Sequence, residues 1–138
     1  MSLRGTLEMI DHFKNIEHIG IFSPNTKKLA EWYCSVFGLE VSLKISKESD
    51  EKSVYFLNSA NGMFIEILPS NDKERLLRSL NDPGISHIGI VVNNFNKVSD
   101  YLNSKEIALR DVRETSQGWK IGYFNDLDGN ILEIIHRP

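Results

Sequence analysis

Four residues in this chain stand where their chemistry is out of place: His18, Glu66, His87 and Glu133. Each falls in a segment that otherwise reads as a β-strand with apolar residues on both faces. Glu66 shares its face with Phe64 and Leu68, while Ile65 and Ile67 take the other; Glu133 shares its face with Ile131 and Ile135, against Leu132 and Ile134. A carboxylate in such a strand is rarely buried unless it is paired, hydrogen-bonded or bound to a metal. Two imidazoles and two carboxylates converging on one point suit a divalent ion with nitrogen and oxygen ligands: zinc, nickel, cobalt, manganese or ferrous iron. Two carboxylates neutralise the charge of such an ion. Four protein ligands in an octahedral shell leave two positions for water or substrate oxygens, as catalysis requires. A single strand histidine is more often a satisfied core residue, so the weight rests on the four together.

The spacing of the four implies a duplicated chain. Residues 17–22 read EHIGIF and residues 86–91 read SHIGIV, with histidines at 18 and 87. Residues 61–69, NGMFIEILP, answer residues 128–135, DGNILEII, with glutamates at 66 and 133. The near-constant offset argues for two copies of one module, too few for a solenoid. In the first copy, a strand over 16–22 precedes a helix capped by Asn25. The apolar residues Leu29, Trp32, Tyr33, Val36 and Phe37 form its buried stripe, and Gly38 ends it. Strands over 40–45, 53–57 and 63–68 follow. The second copy repeats this order: a strand over 86–92, a helix over 95–104 capped by Asn94, and strands over 107–112, 119–124 and 130–135. The segment 72–80 reads as a short helix crossing between the copies. The expected fold class is therefore α+β, one domain over 1–138, with modules over about 14–69 and 85–137 joined by 70–84. Gly20 and Gly89 follow the histidines on the same strand face, which makes room for a ligand or marks a bulge.

Composition narrows the function. The chain has 138 residues, 16 Lys and Arg against 19 Asp and Glu, and a net charge of −3. A weakly acidic chain has no electrostatic footprint for nucleic acid or an anionic membrane. No apolar run approaches a membrane span, and residues 1–13 lack a signal-peptide core, so a cytoplasmic protein is expected. One cysteine, Cys34, excludes an internal disulfide and a zinc site made of several thiolates. Placed beside the apolar stripe of a helix, it reads as an inert thiol.

On EHIGIF with His18, the helix AEWYCSVFGLEV, FIEILP with Glu66, SHIGIVV with His87 and YFNDLDGNILEII with Glu133, the chain resembles the vicinal oxygen chelate superfamily. That superfamily includes glyoxalase, bleomycin-resistance, fosfomycin-resistance and extradiol-dioxygenase proteins, and the resemblance runs from Asn15 to His136. It implies paired βαβββ modules whose strands form a curved mixed eight-stranded sheet with an open metal-binding cleft. The four residues match the ligand set of bacterial-type glyoxalase I position by position. The resemblance then implies a metal-dependent lyase or isomerase that works through a stabilised enediolate on a small carbonyl substrate, such as a hemithioacetal. Glu133 would be the base, Glu66 its counterpart across the site, and the two histidines pure ligands. A homodimer is implied too, taking His18 and Glu66 from one subunit and His87 and Glu133 from the other.

Phe22 stands where glyoxalase I proteins typically carry an arginine for the glutathione carboxylate. Arg110, Arg113 and Lys120, near the second module's cleft strands, suit an anionic substrate or a solvated surface, and Trp119 and Tyr123 suit a cleft wall or a core. Three rival readings remain. One is a metal-free binding or resistance module. Another is Fe(II) ring-cleaving dioxygenation, disfavoured because Glu66 fills a position that oxygen and substrate would need. The third is acyl-CoA epimerisation, whose enzymes usually have Gln at the place of Glu66.

Overall fold

In the computed structural model, which describes residues 3–138, local signals set the helices where the sequence puts them. Asn25 caps α2 (Thr26–Phe37) by accepting the Lys28 N–H, and Asn94 caps α3 (Phe95–Ser104) by accepting the Lys97 N–H. Gly38 closes α2 in the left-handed region, with φ 68° and its N–H donating to the Cys34 carbonyl. A further helix, α1 (Leu3–Ile10), precedes the duplicated part and has no counterpart among the sequence-based expectations.

The eight expected strands are present and hydrogen-bond as two four-stranded mixed sheets. The first holds β1 (Ile19–Ser23), β2 (Glu40–Ile45), β3 (Val54–Asn58) and β4 (Phe64–Pro69) in the order β1-β4-β3-β2. The second holds β5 (Ile88–Val91), β6 (Arg110–Glu114), β7 (Lys120–Asn125) and β8 (Ile131–His136) in the matching order β5-β8-β7-β6. In each, the first strand runs parallel to the last, and the other pairs are antiparallel. His18 and His87 fall one residue before their strands rather than inside them.

One expectation fails. Residues 72–80 form no helix; turns and irregular chain carry the crossing, with the Ser79 N–H bonded to Asp82 Oδ2 at 2.8 Å. The physical reason is that the stripe has nothing to bury against, Leu76 and Leu77 being 87% and 95% exposed. So short a helix is not stable without packing.

Strand alternation divides each sheet into two faces. Ile21, Leu57, Ile65 and Ile67 of the first sheet share one core with Phe124, Leu132 and Ile134 of the second. Leu29, Tyr33 and Val36 of α2 and Phe95 and Leu102 of α3 complete it. Two polar contacts tie the halves across this core. The Tyr33 hydroxyl donates to Asp126 Oδ2 at 2.6 Å, and the Tyr101 hydroxyl donates to the Val36 carbonyl at 2.6 Å. Burial, followed by the charge of Asp126, holds the Tyr33 phenol far above its usual range, so this donor stays protonated. With the helix-side faces consumed in one core, the faces bearing Glu66 and Glu133 are the outward ones.

Candidate metal centre

In each module the histidine stands just before the first strand and the glutamate lies on the strand paired with it, and only in the second do the two side chains come within 4 Å among the described residues. In the first, Gly20 of β1 lies beside Glu66 of β4, and in the second, Gly89 of β5 lies beside Glu133 of β8. Each glycine lies against its carboxylate: a Cβ at Gly20 would lie in ordinary contact with Glu66 Oε1 at 3.9 Å, and one at Gly89 would lie 3.4 Å from Glu133 Oε1. Both strands pair without a register shift, so the glycines do not mark bulges. The bulges lie elsewhere, in β2 between Val41 and Leu43 and in β6 between Arg110 and Arg113.

The histidines are oriented alike. Nδ1 of His18 is 2.9 Å from Glu17 Oε1, and Nδ1 of His87 is 2.8 Å from Ser86 Oγ. In both modules the residue just before the histidine therefore contacts Nδ1 rather than Nε2. His87 Nε2 faces Glu133 Oε2 at 3.7 Å. The surroundings differ. The His18 ring lies among aromatics, 5.6 Å from Phe64 and 6.4 Å from Phe56. The His87 ring meets Tyr123 edge-on at 5.4 Å. Glu133 is nearly buried, its side chain 12% exposed, and Leu80 of the crossing segment packs on Ile121, Tyr123 and Ile131 around it.

The two pairs do not meet within one chain. Among the described residues, no three His, Cys, Asp or Glu side chains approach closely enough to share an ion. A cleft of ≈ 990 Å³ between the modules, lined in part by Met63, Phe64, Ile88 and Val91, includes His18 and Gly89 but none of the other three candidates.

The candidate substrate residues separate into two groups. Tyr123 pairs with Glu133 across β7 and β8. Its phenol is pushed up by burial first, then by the hydrogen bond and charge of Glu133, while Arg113 pulls it down through its own charge and hydrogen bond. Arg113 thus belongs to the second pair's surroundings. Arg110 Nη2 instead donates to Asn125 Oδ1 at 2.8 Å, and Lys120 Nζ donates to Asn96 on α3 while lying 4.9 Å from the Phe95 ring. Trp119 stacks under Arg137 at 4.2 Å, and Phe22 is 62% exposed on the outward face of β1. Burial, then Glu31 and Glu40, raise the Cys34 thiol, which keeps it unreactive. Three neighbours escaped the sequence reading: Glu17 and Ser86, which contact the imidazole Nδ1 atoms, and Phe56, which lies beside the His18 ring. The repeat offset that equates Glu66 with Glu133 also equates Phe56 with Tyr123, and that signal would have found Phe56.

The comparisons agree with this architecture. The family model of the Glyoxalase/Bleomycin resistance protein/Dioxygenase superfamily matches residues 17–123. The chain is similar to a glyoxalase family protein from Enterococcus faecalis, at 25% identity and TM-score 0.76, covering 90% of this chain and 98% of the other. It is similar in fold to a lactoylglutathione lyase from Agrobacterium tumefaciens, at 16% identity, TM-score 0.67 and 90% and 94% coverage. A fosfomycin resistance protein from Listeria monocytogenes, solved with Mn(II) and sulfate, gives 19% identity, TM-score 0.67 and 91% and 92% coverage. No curated protein sequence matches the chain. No helix among the described residues is long and apolar enough to cross a membrane. With the family model covering the first module and the second as far as Tyr123, and the same fold recurring in these structures, the chain belongs to the glyoxalase/bleomycin resistance/dioxygenase superfamily, the vicinal oxygen chelate proteins.

Proposed function

We propose that this protein is a metal-dependent lyase or isomerase of the glyoxalase I type, acting as a homodimer on a small carbonyl compound. The observation that supports it is that both modules set a histidine and a glutamate on paired strands, each glutamate opposite a glycine and turned outward from the shared core. In the dimer, His18 and Glu66 of one copy and His87 and Glu133 of the other would hold one zinc, nickel, cobalt, manganese or ferrous ion. The donors fit such an ion in type, and the nearly buried Glu133 carboxylate lies 3.7 Å from His87 Nε2 and opposite Tyr123 across β7 and β8. Exposed apolar residues on the same outward faces, Phe22 and Leu43 on the first and Val91 on the second, supply a surface for the second copy to cover.

When bound, the ion polarises two neighbouring substrate oxygens. Glu133 then removes a proton from the carbon beside the carbonyl and returns it to the adjacent carbon, with Tyr123 opposite it across β7 and β8. Glu66 faces it from the other pair, and Glu17 and Ser86 keep the imidazoles in register. Phe22 supplies no charge for a glutathione carboxylate, so glutathione is not part of the assignment.

The test combines elemental analysis, sedimentation and hydrogen–deuterium exchange at the substrate carbon of a methylglyoxal hemithioacetal. The expected result is a dimer with stoichiometric metal, in which Glu133→Gln abolishes exchange without unfolding. Metal-free protein that still binds small ligands would make it a sequestration module instead. A monomer with full metal content would place the four ligands in one chain.

A further inference from the structure

The second half-site carries a guanidinium that the His–Glu chemistry does not use. In β6, Asp111 takes the left-handed region at φ 53°, and three steps along β6, from Arg110 to Arg113, are matched by two along β7, from Tyr123 to Ile121. A bulge of this kind re-aims the side chains beyond it. Val112 stays on the helix side, its Cγ2 being 3.2 Å from where a Cβ on Gly122 would lie. Arg113 therefore turns to the other face, opposite Ile121 and diagonal to Tyr123, a separation that long side chains span. Nearby cations are otherwise engaged: Arg110 with Asn125, Lys120 with Asn96, Arg137 with the Trp119 ring. Arg113 makes no ion pair among the described residues and is exposed, diagonal to Tyr123 across β6 and β7. The first module places Ile45, opposite Val54, where the second has Arg113 opposite Ile121, so the charge is one-sided.

We infer that Arg113 and Tyr123 form an anion subsite beside Glu133, and that the substrate is a small carbonyl compound bearing a carboxylate, with its apolar part toward Phe56 and Phe64 of the other half-site. This rests on the function proposed above. The planar guanidinium grips a carboxylate through two parallel hydrogen bonds, and the phenol adds a third donor. Binding the anion there leaves the carbonyl oxygen and its neighbour directed toward the His–Glu pair.

The probe is phenylglyoxylate, which joins an aryl group, a ketone and a carboxylate, with its neutral methyl ester as comparison. Calorimetric titration is run on the full protein, both chelator-treated and metal-loaded. Wild type should prefer the acid to the ester. Arg113→Gln should weaken the acid by about tenfold or more and leave the ester unchanged. Lys97→Gln, which removes an equal charge from α3, should change neither. Melting temperature and metal content of the Arg113 variant should match wild type. Equal affinity for acid and ester in wild type, or an Arg113 variant that retains the preference, would overturn the subsite. A preference lost in Arg110→Gln instead would also overturn it. If the protein binds no metal yet shows the Arg113-dependent preference, the subsite stands and the catalytic reading falls. If metal binding and proton exchange persist without the preference, the reverse holds.

Discussion

The two modules share a backbone plan and differ in what they place around it. The first surrounds His18 with Phe56 and Phe64 and leaves its imidazole side chain 36% exposed. The second sets His87 against Tyr123, buries Glu133 and brings Arg113 alongside. Duplication kept a histidine and a glutamate in both copies, while the residues next to them diverged into an apolar wall and a polar one. In the proposed dimer such a repeat would give one centre two chemically distinct sides.

The largest expected effect tests which side does the chemistry. Glu133→Gln should lower proton exchange by about 10²–10⁴-fold, the usual scale for losing a general base, while leaving the melting temperature near wild type. Glu66→Gln should lower metal affinity and spare more of the exchange rate at saturating metal. Equal losses in both would erase the assigned division of roles.

A second comparison uses the link between the halves. Tyr33→Phe leaves Asp126 Oδ2 with Asn130 Nδ2 as its remaining partner inside the core. The cost should be about 1–3 kcal/mol, read as a lower urea midpoint. The position of Tyr33 in the second module is held by Leu102, whose place in the same core involves no hydroxyl.

Smaller effects separate the glycines. Gly89→Ala places a methyl 3.4 Å from Glu133 Oε1, and Gly20→Ala places one 3.9 Å from Glu66 Oε1. The first should therefore weaken metal binding more than the second, by a margin that calorimetry resolves. The smallest effect concerns the last turn. Burial and Asp126 raise the Asp128 carboxyl, against the opposing pull of Ser23 and Arg75. A raised carboxyl means the fold binds the proton more tightly than the unfolded chain does, so stability falls as pH rises through that window. Asp128→Asn, which makes this turn like the first module's Asn61-Gly62, should raise the melting temperature at neutral pH. The gain should shrink on acidification toward the carboxyl range.

Much of this was legible in the sequence because the modules announce themselves twice. The Asn caps, the Gly38 terminator and the alternation around Glu66 and Glu133 are local signals, and the local structure follows them. Three features were not legible. The failed helix at 72–80 carried the right residues, yet whether Leu76 and Leu77 find a surface is decided by tertiary packing. The aim of Arg113 depends on one extra residue in β6, and a bulge shifts the two-residue period on which sequence reading relies. The separation of the two pairs depends on which faces of the sheets meet, and each strand of the repeat is compatible with either choice.

That outward separation has a genetic consequence. Consider one chain disabled by His18→Ala and Glu66→Gln, and another disabled by His87→Ala and Glu133→Gln. Neither alone can assemble a working centre. Co-expressed, and if centres form between chains, each mixed pair would join the sound half of one to the sound half of the other. Two defective alleles would then rescue each other, with one competent centre and one dead one in every hybrid molecule.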